Sequence, residues 1–443
     1  MEILIMAGQL ILGLSILVGL HELGHLVAAK VFGMRVEQYS IGFPPKLFGI
    51  KYGETEYSIG AIPLGGYVKI SGMVDESLDT EMLSQEPQPW EFRSKPAWQR
   101  LIVMMGGIIV NVITGIFIFV LLIYINGESN LPAKEAKYGI VAYDLAKGIG
   151  LQTGDKIVKV NGKPYEYFSE LRSSDVFLSS NSSYTVDRGG QMIHIDIPND
   201  FIEKLTDKKN ARMFLEAIEP FKVGAVTAGY PAAKAGLKEG DRIVGVNATP
   251  IHFFHEFHES LKANRNKEIA MKVDRNGQLI NLKVNVIEEK DGNAVIGFKA
   301  KSLLNYTTTR YTFGQSVVKG TEQAFGVVFD TIKGFGKIFR REVSASKSLS
   351  GPIAIAQNLY SGQWIWERFW NVTGLLSMAL AFMNFLPIPA LDGGHVMFLM
   401  YEIVSGRSPS DKFLEVSQKI GMVLLLSLMV FAVFNDIFKN FFS

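Results

Sequence analysis

An apolar run from Ile3 to Leu20 leads directly into His21-Glu22-Leu23-Gly24-His25, and few conformations satisfy both facts. About 20 apolar residues cross the hydrocarbon layer of a bilayer as a helix, so three ionisable side chains fall at membrane depth. Each costs a few kcal/mol there unless it is paired, hydrated or bound to a metal. Residues four apart share one helical face. His21 and His25 can therefore offer two imidazole nitrogens to one ion while Glu22 projects beside them toward a bound water, the geometry of a metal hydrolase. The run opens Met1-Glu2, with no basic n-region and no small-residue cleavage site, so it does not read as a removable signal peptide.

Apolar residues make up 48% of the chain and charged residues 20%, which implies spans joined to soluble modules. Four segments, about 3–32, 101–125, 372–404 and 420–438, read as spanning helices. Lys30 and Arg35, then Arg93, Lys95 and Arg100, then Arg407, Lys412 and Lys419 flank them. By the positive-inside rule those loops are cytoplasmic and both termini face outward. Trp364, Trp366 and Trp370 read as an interfacial belt before the third span, and the His-Glu motif falls toward the cytoplasmic side. A net charge of +2 without a long basic run argues against a nucleic-acid partner. The chain has no cysteine, so a metal must be held by nitrogen and oxygen.

The third apolar segment supplies a third ligand. Asn384-Phe385-Leu386-Pro387-Ile388-Pro389-Ala390-Leu391-Asp392-Gly393-Gly394-His395 breaks it with two prolines, an acid and paired glycines. Broken helices at membrane depth line protected or wet cavities, and a carboxylate opening the second half-helix is favoured by the helix dipole. Asp392 is thus the candidate; His395 ranks below it as an alternative ligand or supporting partner.

Between the second and third spans the stretch Gly150-Leu151-Gln152-Thr153-Gly154-Asp155-Lys156-Ile157-Val158-Lys159-Val160-Asn161-Gly162 recurs 86 residues later as Gly236 to Ala248, with eight of thirteen positions identical. A Gly-Asp turn feeding a β-rich run and an Asn turn predicts a strand and hairpin in each of two modules. The pattern resembles tandem PDZ domains over about 133–301. Such folds capture peptides by strand addition, or here serve as spacers and size-exclusion caps. His252, His255 and His258 read as a helix face of surface or half-buried histidines rather than a metal cluster. Residues 54–71 read as a hairpin with a Gly/Pro turn whose edge could pair with an unwound substrate strand. Asp75, Glu76, Asp79, Glu81 and Glu86 make 74–91 an acidic solvated segment, and 313–339 reads as an amphipathic helix near the outer membrane interface.

Taken together, His21-Glu22-x-x-His25 and Asn384-x-x-Pro387-x-Pro389-x-Leu391-Asp392-Gly393 around two PDZ-like modules resemble the site-2 protease family of intramembrane zinc metalloproteases, in its bacterial sigma-E-regulating subgroup. Gly65-Gly66-Tyr67-Val68-Lys69 resembles the family's membrane-associated β-hairpin and Ser350-Gly351-Pro352-Ile353 its segment before the third span. Gly106-Gly107-Ile108-Ile109-Val110-Asn111 resembles its Gly-Pro-x-x-Asn element without the proline. The resemblance implies a polytopic α-helical membrane protein with four transmembrane helices, a membrane-associated β-hairpin and two tandem PDZ-like α+β domains. Its parts are 1–32, first helix; 33–100, cytoplasmic loop with the hairpin; 101–127, second helix; 132–217 and 218–301, the PDZ-like domains. A periplasmic connecting segment follows at 302–371, then the broken third span at 372–404 and the fourth helix at 420–438.

It further implies zinc held by His21, His25 and Asp392, with Glu22 as general base. Asn384, Gly65, Gly66 and Tyr67 would contact substrate. Substrates would be single-span membrane proteins, an anti-sigma factor after a first cut and signal-peptide remnants, met in the lipid bilayer of a bacterial inner membrane with the PDZ-like domains periplasmic. Two rivals stay open on residues alone. One is a non-catalytic adaptor that needs no Glu22; the other is a metal-ion transporter, which would spread ionisable residues over several spans.

Overall fold

The computed structural model describes residues 2–73, 86–205, 214–289, 292–344, 346, 351–360 and 362–441. They form two compact units, Met1–Glu128 with Arg310–Ser443, and Ser129–Thr309. The acidic stretch expected over 74–91 lies outside the described residues as far as 85, as does Ser350.

The first unit is built from α1 (Glu2–Val31), α2 (Ala97–Asn126), α3 (Phe313–Phe339), α4 (Pro352–Leu359), α5 (Trp366–Phe385), α6 (Asp392–Ser405) and α7 (Asp411–Phe441). Among the described residues three helices are long and apolar enough to cross a membrane: Glu2–Val31, Ala97–Asn126 and Lys412–Phe438. The segment expected as a third span is divided between α5 and α6. Pro387 and Pro389 withhold backbone donors and Ala390 adopts a left-handed φ of +79°, so 386–391 cannot continue the helix. Exposed Val423, Leu424, Leu426, Met429, Val430 and Phe434 coat α7, an apolar surface of the kind that lipid covers.

Helix α2 is the hub, packing against α1, α3, α5 and α6. It meets α1 at glycine on glycine: a Cβ on Gly24 would run into the Gly106 carbonyl, and one on Gly106 into Gly24. Such small-residue contacts let helix backbones approach closely inside a membrane. Helix α3 packs against the other helices of this unit. It runs lengthwise beside α2: Phe313 stacks edge-on against Tyr124, Gly320 abuts the backbone of Val120, and Phe335 reaches Phe382 of α5. Ala324, Phe119 and Met378 form the buried centre of that contact. Small Ser316, Gly320 and Ala324 are buried in that contact, while Phe313, Val318, Phe325, Phe329 and Phe339 stay exposed, an apolar surface of the kind that lipid covers. At the other side, Gly351 and Ala354 donate backbone N–H bonds of 3.0 and 2.8 Å to the buried Asp436 carboxylate, which pins the start of α4 to α7.

Two long strands, β1 (Val36–Tyr52) and β2 (Thr55–Ile70), follow α1. Strands β1 and β2 join at Gly53, whose φ is +61°, and the chain reverses again within 54–71: 56–59 run parallel to 38–41 and 66–69 antiparallel to them, so the expected hairpin turns between 59 and 66 with Gly65 at its end. Glycine is also needed there because the chain crowds its neighbours. A Cβ on Gly65 would strike the Phe43 ring, and one on Gly66 would meet Ser40 O and Val18. In register, 36–41 face 66–70 on one side and 56–59 on the other, while 46–52 continue against 55–60. Residues 66–70 thus form an edge with no further strand partner among the described residues. Tyr39 Oη donates 2.8 Å to Gly19 O, fastening this sheet to α1.

In the second unit the repeated sequence makes repeated structure. Lys156–Val160, Ser183–Arg188 and Gln191–Asp196 form one antiparallel sheet; Arg242–Val246, Glu268–Arg275 and Gln278–Asn285 form its counterpart, joined by Thr249–Pro250. Each packs its own core, the first around Leu171, Tyr184, Val186 and Phe201, the second around Val223, Phe257, Met271 and Val273. The Gly-Asp signature has a partner that is distant in sequence. Arg188 Nε donates 2.7 Å to Asp155 Oδ1 and its Nη2 donates 2.8 Å to Gly150 O. Arg275 repeats this on Asp241 and Gly236, at 2.7 and 2.8 Å. Burial works against the Asp241 charge, but Arg275 and the Lys238 N–H overcome it and hold its pKa below the ordinary value. That stabilisation is complete above the unfolded carboxylate pKa of about 3.9 and is lost as pH falls through the lower folded value. Asp241→Ala is expected to destabilise this module at neutral pH, because it removes the carboxylate that accepts from both Arg275 and the Lys238 N–H. Hydrogen exchange of the amides of 268–275 in the full chain checks it: unchanged protection at pH 7 would contradict the assigned role.

Candidate metal centre

His21 and His25 lie one turn apart on α1, and the break between α5 and α6 sets Asp392 opposite them. His21 Nε2 is 3.0 Å and His25 Nε2 3.3 Å from Asp392 Oδ2, and the two Nε2 atoms are 3.3 Å apart. Both imidazoles are buried, and Asp392 Oδ2 is buried without a hydrogen-bond partner. Three lone-pair atoms so close, with an orphaned carboxylate oxygen among them, leave a strong unmet electrostatic demand. Two ligands each bound at about 2.0–2.1 Å to a tetrahedral ion stand about 3.3 Å apart, and two nitrogens with one carboxylate oxygen are a set suited to zinc. His21, His25 and Asp392 are the one such group of three among the described residues. His395, one turn beyond Asp392, is not part of it, and His252, His255 and His258 do not converge.

Helix α2 shapes the floor. Val103, Gly107 and Asn111 are four residues apart and share one face. The Val103 carbonyl accepts a 2.8 Å hydrogen bond from His25 Nδ1–H, which leaves Nε2 free to face Asp392. A Cβ on Gly107 would collide with His25 Nε2 and His21 Cε1, so only glycine admits both rings. Asn111, fully buried, sets Nδ2 3.1 Å from His21 Nδ1. Its own carbonyl accepts 2.7 Å from Ser377 Oγ of α5. The sequence carried this signal as glycine and asparagine at helical spacing, but nothing in it told which helix they would face.

Glu22 lies beneath the sheet edge, close enough to His25, His21 and Asp392 for their charges to act on it. Gly66 packs against its side chain, and the Val68 backbone N–H donates to its carboxylate. Of the residues expected to contact substrate, Asn384 at the end of α5 brings Nδ2 to 3.4 Å from His21 Nε2. Gly65, Gly66 and Tyr67 lie on β2, Gly66 and Tyr67 registering with Ile41 and Ser40. Paired glycines after Asp392 let the break fold tightly, since a Cβ on Gly393 would strike Leu386 O and one on Gly394 the Ile388 carbonyl.

A model of peptidase family M50 matches residues 9–428, a range that begins before His21 and ends beyond Asp392. The chain belongs to peptidase family M50. It is a zinc metalloprotease of the site-2 type, which removes the adaptor and the transporter as readings. Among its relatives, the regulator of sigma-E protease RseP of Salmonella typhimurium is 30% identical over 448 residues, 96% of this chain and 97% of that protein. The regulator of sigma E protease of Haemophilus influenzae is 29% identical over 450 residues, 98% of each chain. A Neisseria meningitidis protein named as a zinc metalloprotease is 29% identical over 446 residues, 96% of this chain and 97% of that one. The M50 match and the three long apolar helices make this a membrane protein.

Proposed function

We propose that this M50 protease holds its zinc through His21, His25 and Asp392 and cleaves the transmembrane segments of single-span membrane proteins. The observation that carries the reading is the convergence of those three donor atoms within 4.8 Å beside Glu22 and an open strand edge. Zinc bound there polarises a peptide carbonyl and acidifies water. Glu22 accepts the proton of the attacking water and returns it to the departing amine, with the Val68 N–H orienting its carboxylate. A membrane helix shields its carbonyls in its own hydrogen bonds, so the substrate must unwind before attack. Residues 66–70 offer an unpaired edge where the extended chain adds as a further strand, and Asn384 engages its backbone beside the cut.

In this reading α5 and α6 together make the third of four spans, and the exposed Leu47, Phe48, Ile50, Ile59 and Ile62 dip the sheet into the bilayer. The chain sits in a bacterial inner membrane with both termini and the two PDZ-like modules periplasmic and the metal toward the cytoplasmic side. The substrate in this reading is an anti-sigma factor already trimmed by another protease, with signal-peptide remnants as a second group; relatives named as regulators of sigma E support the sigma-E connection alone. The modules then act as a sieve against untrimmed chains.

The test uses purified protein in detergent and two tagged single-span anti-sigma-type substrates, with and without the outer domain. One zinc per chain, cleavage of the trimmed substrate, loss of that cleavage on chelation and its return with added zinc are expected. Cleavage insensitive to metal removal would refute the zinc assignment, and equal rates on both substrates would refute the sieve.

A further inference from the structure

Asn111 is an amide with 0% exposure, set against a proposed zinc ligand, and with Nδ2 toward His21 its hydrogen bonds do not close. With Nδ2 directed at His21 Nδ1, the ring must carry its proton on Nε2, the atom that faces Asp392 and His25. In that tautomer Nε2 has no lone pair to give a metal held between His25 and Asp392. This arrangement also leaves Asn111 Oδ1 buried without any partner. Amide oxygen and nitrogen are interchangeable by a half-turn of the side chain. Turning it places Oδ1 on His21 Nδ1–H, satisfies the orphaned oxygen and frees Nε2, and so resolves both conflicts at once.

His25 supports the same conclusion independently. Its Nδ1 is held by the Val103 carbonyl at 2.8 Å, so the two imidazoles receive matching acceptors, Val103 O and Asn111 Oδ1, from two positions on one face of α2. The side chain of Asn111 can turn without disturbing the packing, because its contact with α5 runs through its backbone oxygen to Ser377 Oγ. We propose that Asn111 is a positioning residue: it accepts a hydrogen bond from His21 Nδ1–H and fixes the tautomer in which Nε2 faces zinc. The inference rests on the zinc site proposed above. It adds that α2, which contributes no ligand, selects the metal-binding form of both histidines.

Zinc affinity of the full-length protein in detergent, measured by competition with a chromophoric chelator, tests this apart from activity. Asn111→Leu keeps the volume and removes the acceptor, and is expected to weaken zinc about 10–100-fold, the usual cost of losing such a partner. Asn111→Asp keeps an acceptor in place and should restore affinity to within a few-fold of wild type. Ser377→Ala alters the neighbouring contact without touching His21 and should leave affinity unchanged. Asn111→Leu binding like wild type would overturn the proposal, as would equal weakening in all three variants, which would mark a packing effect. A wild-type protein that takes up no zinc would instead overturn the metal site beneath it.

Discussion

Replacing Glu22 by Gln is expected to slow cleavage about 10²–10⁴-fold while one zinc per chain remains bound. The reason lies in how the site divides its tasks. His21, His25 and Asp392 converge on one point, whereas Glu22 lies beside that point under Val68 and Gly66. A neutral amide of the same shape preserves the contact with Gly66 and can still accept the Val68 N–H, but it cannot take a proton from water. Single-turnover cleavage of a trimmed single-span substrate, with zinc counted in the same preparation, measures both quantities. Activity within tenfold of wild type would remove Glu22 from the chemistry; loss of zinc together with activity would make it part of the metal site instead.

Asp392→Ala should act in the opposite order, with zinc lost first and cleavage falling to background in consequence. Removing a direct ligand must cost more than the roughly 10–100-fold that follows loss of an outer partner, so dialysed protein should retain well under one zinc per chain. The fold around it is set by other residues. Pro387 and Pro389 make the break, Gly393 and Gly394 permit its tight return, and Arg100 Nη2 holds Glu402 of α6 at 2.5 Å. The variant should therefore keep the thermal transition of metal-free wild type. Zinc retained at full stoichiometry would exclude Asp392 as a ligand, and a transition lost altogether would make it a structural residue.

Much of this is legible in the sequence. A helix places His21 and His25 on one face whatever surrounds it, and ionisable groups at membrane depth require partners. The prolines at 387 and 389 demanded a broken helix, and the break is where they put it. The repeat at Gly150 and Gly236 announced two similar hairpins, which the two sheets display. Elsewhere a local pattern had two physical meanings. Glycine between 59 and 66 serves both the chain reversal and the close approach to Phe43, Ser40 and Val18, and the stripe on α3 is divided between small residues packed on helices and large apolar residues left exposed. Arg188 and Arg275 escaped notice because nothing near them in sequence reveals that they lock onto Asp155 and Asp241.

The sequence by itself determined the chemistry available and the local geometry that follows from covalent structure: which side chains can bind a metal, which face of a helix they share, where a helix must stop. Only the tertiary structure decided which helix faces which. It brought Asp392 within 3.3 Å of both histidines, set Val103, Gly107 and Asn111 of α2 beneath them, and laid the edge at 66–70 over Glu22. Those contacts join residues up to hundreds of positions apart. They depend on close packing of whole helices, to which no short window of sequence has access.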